Sequence, residues 1–187
     1  MSATESGVRA RTRGAIVAAA IDVLATDAGA SLAQVAAAAG VSRTTVHRYF
    51  PERTNLIKAV AEEVMLRVVG ATERARLDQG HAQDALERAC REYFGLDSAL
   101  TVLFGGAVEI TDEDWARCDT DPERGVAAAV ARGHADGSVD PGLSAAWIEL
   151  LIWALLYAAW TYGREQDTSP QEALDLCLRS LRKAIAA

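Results

Sequence analysis

The stretch SLAQVAAAAGVSRTTVHRYF, residues 31–50, decides how this chain reads. Ser31 is followed three positions later by Gln34, the reciprocal capping pattern that opens a helix. Leu32, Val35, Ala36 and Ala39 then fall at the i, i+3, i+4, i+7 spacing of one buried helix face. Gly40 breaks that helix, Val41 fills the turn, and Ser42 stands where it can cap a second helix from Arg43 to Phe50. Pro51 ends the second helix, because proline has no amide hydrogen and disfavours helical geometry at the residue before it. Two short helices about a glycine turn, the second polar on its outer side, have the form of a helix-turn-helix.

The second helix divides cleanly. Arg43, Thr44, His47 and Arg48 cover one side, while Val46, Tyr49 and Phe50 lie on the other, against its neighbours. A helix so divided can lie in the major groove of DNA while its back remains packed. Arg43, in the first turn, can offer two N–H groups to guanine O6 and N7, and Thr44 can meet a thymine methyl or a phosphate. Arg48, Arg53 and Lys58 suit phosphates, which set register without reading sequence. The expected DNA-contact set is Ser42, Arg43, Thr44, Thr45, His47, Arg48, Tyr49, Arg53 and Lys58.

Outward from this segment the chain reads as helix in both directions. A preceding helix is predicted from Thr12 to Thr26, with Ile16, Val17, Ala20, Ile21 and Leu24 on one face and Gly29 just past its end, and residues 1–8 as a frayed polar terminus. After Pro51 a long helix is predicted from Glu52 to Leu77, followed by helices over 83–96, 98–109, 121–135, 144–163 and 170–185. Asp121-Pro122 and Ser169-Pro170 supply caps with proline in the first turn. No run alternates apolar and polar residues as a strand would. The fold class is therefore all-α: an N-terminal three-helix DNA-binding head, residues 1–51, joined by a long helix to a larger C-terminal helical body, residues 52–187.

The net charge of −7 conceals a division. Residues 1–58 carry seven bases and four acids, a net +3, leaving −10 for the remainder. A basic head on an acidic body points one end of the molecule at phosphates. Cys90, Cys118 and Cys177 are far apart and without metal-ligand spacing, so they read as core residues or free thiols in a reducing cytoplasm. The terminus has no apolar signal region, and the uncharged run Leu150–Tyr162 is bracketed by Glu149 and Arg164, short of a membrane span. His81 and His134 have no partners at metal spacing, and the acids from Asp112 to Asp114, with Asp119 and Asp121, read as a solvated loop and helix start. No nucleophile–base order, phosphate-cradling glycine loop or zinc motif appears, so no enzyme, cofactor or metal is expected, and the expected location is the cytoplasm.

The run from Ser31 through Val35, Ala36, Ala39, Gly40, Val41, Ser42, Thr45, Phe50 and Leu56 resembles the N-terminal signature of tetracycline-repressor (TetR-type) regulators, over about residues 12–60. Where many members carry tyrosine four residues into the recognition helix, this chain has His47, which can still donate to a phosphate or accept from a base. The resemblance implies a homodimer, a helical body enclosing an effector pocket, and a four-helix bundle formed by the last two long helices and their mates.

The body has one conspicuous feature of its own. Trp147, Trp153, Tyr157, Trp160 and Tyr162 lie on one helix that is apolar nearly all round, which implies one face on its own domain and another on a partner subunit. The expected dimer interface is Leu151, Leu155, Trp160, Leu174, Leu178 and Leu181. The expected pocket, for a largely apolar small molecule, is lined by Phe94, Leu103, Phe104, Trp115, Trp147 and Trp153, with Glu109 or Glu149 as a polar anchor. Together these features describe a DNA-binding regulator released from a near-palindromic operator by a small-molecule effector. Two alternatives stand beside it: a ligand-binding or enzymatic helical protein with a vestigial head, and a nonspecific architectural DNA protein. The acidic body and polar recognition helix count against the latter.

Overall fold

The computed structural model describes residues 3–111 and 125–187. Among them are nine α-helices and no strand: α1 Ala3–Thr26, α2 Leu32–Ala38, α3 Arg43–Tyr49, α4 Arg53–Ala75, α5 Ala82–Phe94, α6 Ser98–Phe104, α7 Val126–Asp136, α8 Ala145–Glu165 and α9 Pro170–Ile185. The predicted start at Asp121-Pro122, the acidic run, Trp115 and Cys118 lie outside the described residues.

The chain divides into two compact units. One holds the described residues up to Arg67 together with those from Asp97 to Thr111; the other holds Val68–Leu96 and the described residues from Gly125 onward. The break in α4 comes inside the helix, not at a turn. The segment 98–109, read from sequence as part of the body, is α6 and packs on α1. It is also shorter than expected, since Gly105 closes it by donating its amide to the Thr101 carbonyl.

In the first unit the core forms where the apolar spacing placed it. Ile16, Val17, Ile21 and Leu24 of α1 are buried with Val35 and Ala36 of α2, Val46 and Phe50, and Leu56, Val60 and Val64 of α4. The N-terminal part of α1 departs from expectation, because the helix continues nine residues further back than Thr12.

In the second unit α5 is central, packed by α7, α8 and α9. Leu86, Ala89 and Cys90 of α5 are buried with Ile148, Ile152 and Leu156 of α8 and Ala173, Cys177, Leu181 and Ile185 of α9. Gly133 lets α7 approach closely, since a Cβ there would collide with the Val139 side chain and meet Ala82 Cβ at 2.9 Å. The Ser169–Glu172 capping box opens α9 as its spacing predicts. Helix α8, long and apolar enough by length and composition to cross a membrane, buries only the stripe Ile148, Ile152, Leu156 and Ala159 in its own unit. Trp147, Leu150, Tyr157 and Tyr162 remain exposed.

Candidate DNA-binding surface

The recognition segment is built by two caps and one glycine. Ser31 Oγ accepts the Gln34 amide while Gln34 Oε1 accepts the Ser31 amide at 2.8 Å, so α2 begins with reciprocal bonds. Gly40 takes φ +65° at the turn, a left-handed conformation that costs an L side chain about 1–2 kcal/mol. Ser42 Oγ accepts the Thr45 amide at 3.1 Å and bonds Thr45 Oγ1 at 2.9 Å, so two of the hydroxyls in the expected contact set, those of Ser42 and Thr45, are engaged in starting α3.

Val46 is 0% exposed and Phe50 2%, and they anchor the back of α3. Arg43, Thr44, His47 and Arg48 are exposed on its outer side, as is Lys58 on α4; Thr45 and Tyr49 are half-buried. Arg53 is employed internally. Its guanidinium donates to the carbonyls of Ala30 and of Ala28, the latter at 2.8 Å, and so ties the start of α4 to the loop between α1 and α2.

Sequence reasoning missed the first turns of α1. Arg9 lies 6.0 Å from the centre of the Tyr49 ring and Arg13 5.3 Å from that of Phe50, while Arg48 sits 5.4 Å from Tyr49 on its other account. The i, i+4 spacing of Arg9 and Arg13 was the available signal, obscured because this part of α1 has no apolar stripe.

The expected effector residues fall in two units. Leu103, Phe104 and Glu109 belong to the first; Phe94, Trp147, Glu149 and Trp153 belong to the second. In the second unit Trp153 stacks on Tyr93, with ring centres 4.9 Å apart and planes 22° from parallel. The Tyr93 hydroxyl bonds Thr72 Oγ1 at 2.8 Å. Burial pushes that phenol up to about 12 against the opposing hydrogen bond from Thr72, with the Glu149 carboxylate adding to the rise. Trp147 is 56% exposed on α8 and does not enclose anything in this protomer.

The expected interface residues also separate. Leu151, Leu155, Trp160 and Leu174 are half-buried, whereas Leu178 is nearly buried and Leu181 has no exposed surface. Those last two pack into their own protomer's core, because α9 turns them toward α5 along with Cys177 and Ile185. Between α8 and α9 runs an open groove of about 200 Å³ lined by Leu155, Ala158, Tyr162, Leu176, Cys177 and Ser180. Interaction with the Cys177 thiol, together with burial, raises the Cys90 thiol, while the same interaction lowers Cys177 against the opposing effect of burial.

Comparison with known proteins agrees with this geometry. Residues 16–60 match the model of the tetR family of bacterial regulatory proteins. The HTH-type transcriptional repressor LfrR of Mycolicibacterium smegmatis is 34% identical over 182 residues, covering 97% of this chain and 94% of the relative. The crystal structure of LfrR from Mycobacterium smegmatis in complex with proflavine superposes with a TM-score of 0.71 over 95% of this chain and 98% of that one, at 34% identity. A TetR family transcription regulator from Marinobacter aquaeolei shares the fold at 20% identity, with a TM-score of 0.68 over 94% of this chain and 95% of that one.

Proposed function

This chain belongs to the tetR family of bacterial regulatory proteins, and from that premise we propose that it is a homodimeric repressor whose α3 reads a near-palindromic operator and which a small molecule releases. Reading of DNA is assigned to residues 1–51, and dimerisation and effector binding to residues 52–187. The observation that carries the proposal is the division of α3: four polar side chains turned outward on a helix whose capped start and buried Val46 and Phe50 hold it rigidly. Selecting bound duplexes from a random pool tests it; an enriched palindrome with half-sites about 34–36 Å apart, or a multiple of it, is the expected result. Recovery of no preferred sequence would sink the proposal.

The dimer face is the exposed apolar side of α8, with Trp147, Leu150, Leu151, Leu155 and Tyr162, continued by Leu174 and Leu176 of α9. Leu150 is 66% exposed, a large apolar surface to leave in water. Leu150→Glu would set a charge against its copy in a two-fold interface. It should give a monomer by light scattering and abolish operator binding while the protomer remains folded.

The effector is a small, flat aromatic molecule, a class supported by the proflavine bound to the relative at 34% identity. Its platform is the Trp153–Tyr93 stack, with Glu149 one turn before Trp153 as the polar group. Such a ligand acts only through differential affinity for the two states of the dimer. A swing from 1:99 to 99:1 needs about 5.5 kcal/mol. Proflavine is the first compound to try. It should raise the melting temperature and release DNA from wild type, and do neither for Trp153→Ala.

A further inference from the structure

We infer that Arg9 and Arg13, on the first turns of α1, form with Arg48 a phosphate-binding ridge beside the recognition helix, which extends DNA contact beyond the residues of α3. The inference rests on the DNA-binding reading above and deepens it. Arg9 and Arg13 share one stripe of α1, four residues apart, and both are exposed. Their guanidiniums are not loose. Arg9 and Arg48 lie 6.0 and 5.4 Å from the centre of the same Tyr49 ring, and Arg13 lies 5.3 Å from that of Phe50. The electron-rich ring faces and the carbonyl end of α3 attract cations and so hold these three at the C-terminal end of that helix.

Neither attraction neutralises the charge. Among the described residues no carboxylate forms an ion pair with Arg9, Arg13 or Arg48, and the sequence offers a single acid, Glu5, in its first 21 residues. Elsewhere in the chain clustered guanidiniums meet acids: Arg91 and Arg182 both pair with Glu87, and Arg182 also with Asp84. Three cations fixed near one another, with planar forks open to solvent, suit an anion spaced along a rigid lattice. A phosphate backbone flanking the groove that α3 enters is such an anion. The aromatic seats then have a second use: they spare part of the entropy of ordering long side chains when DNA arrives.

The test is the salt dependence of binding to a short mixed-sequence duplex, which needs no knowledge of the operator. Arg9→Gln/Arg13→Gln removes two contacts from each of two heads. At a slope of about 0.9 per phosphate contact, the plot of log K against log salt should become shallower by about 3.6. An unchanged slope overturns the inference, including the case where affinity falls with the slope intact, because the arginines would then only staple α1 to α3. Arg9→Lys/Arg13→Lys keeps charge and alters the planar seat; it should retain the wild-type slope, and a slope as shallow as the Gln variant's would count against phosphate contact. A third measurement needs no variant. Ethylation of phosphates on the tightest duplex selected by wild type should interfere outside the base pairs that Arg43→Ala affects, and interference confined to those pairs overturns the ridge. Should wild type select no preferred duplex, the repressor reading falls; should it select one while the slope stays fixed in the Gln variant, this inference alone falls.

Discussion

The arginines at the two ends of this chain are held by different things. In the second unit Arg74 pairs with Glu92 at 2.7 Å, Arg91 and Arg182 share Glu87, and Arg88 donates to the carbonyls of Ala75, Arg76 and Gln79. Arg132 likewise reaches the Leu77 carbonyl at 2.7 Å. Around α3, by contrast, Arg9, Arg13 and Arg48 gather on two rings, an arrangement the second unit shows singly where Arg164 lies 5.0 Å from the centre of Trp160. Charge that is satisfied within the protein serves stability; charge that is positioned without a counterion is available to something outside. The difference is one of partners, since both ends contain ample arginine.

This comparison can be broken by showing that the two classes respond alike. The largest effect should come from Glu87→Gln. Glu87 is 6% exposed and takes two arginines, so loss of its charge should cost about 2–3 kcal/mol of stability. Denaturation should register that, while the salt slope of DNA binding stays as in wild type. Arg43→Ala is the mirror image. A loss of about 1–3 kcal/mol in affinity, confined to one base pair of the operator, should accompany an unchanged melting temperature. Equal losses on specific and random duplexes would remove Arg43 from base reading. Arg53→Ala tests a residue at the head that behaves like those of the body. Freed from the Ala28 and Ala30 carbonyls, the head should lose about 1 kcal/mol, with its salt slope nearly unaltered. The smallest change belongs to Arg179→Ala, an exposed position on α9, where both stability and binding should remain within about 0.5 kcal/mol of wild type.

What could be read from sequence follows the range of the forces involved. Caps, turns and stripes act over three or four residues, and so Ser31 with Gln34, Gly40, Ser42 at the start of α3, and Ser169 with Glu172 all fell where expected. The start of α1 did not, because Ala3–Gly14 lacks the apolar period on which a helix was recognised, and the seats for Arg9 and Arg13 are provided more than thirty residues away. Arg53 was read as a phosphate contact on its charge alone, whereas two carbonyls of a distant loop engage it. Leu178 and Leu181 were read as interface because the last two helices are well capped and apolar and the resemblance sets them in a four-helix bundle, yet an apolar residue on such a helix can equally enter its own core. The aromatic helix α8 gave half of its answer: the stripe through Ile152 is filled by its own unit and the opposite side is left apolar in water.

The break between units inside α4 bears on how the protein can be cut. A fragment ending at Pro51 would retain every side chain assigned to α3 and yet lack Leu56, Val60 and Val64, which are 0–1% exposed in the first unit. Each such side chain contributes on the order of 1.5–3 kcal/mol when fully buried, so their combined loss rivals the whole stability of a small domain. The shortest reader of DNA is therefore longer than the DNA-reading sequence. Truncation at Pro51 should yield a chain that holds the recognition motif and cannot fold around it, whereas a cut beyond Arg67 leaves those three residues in place.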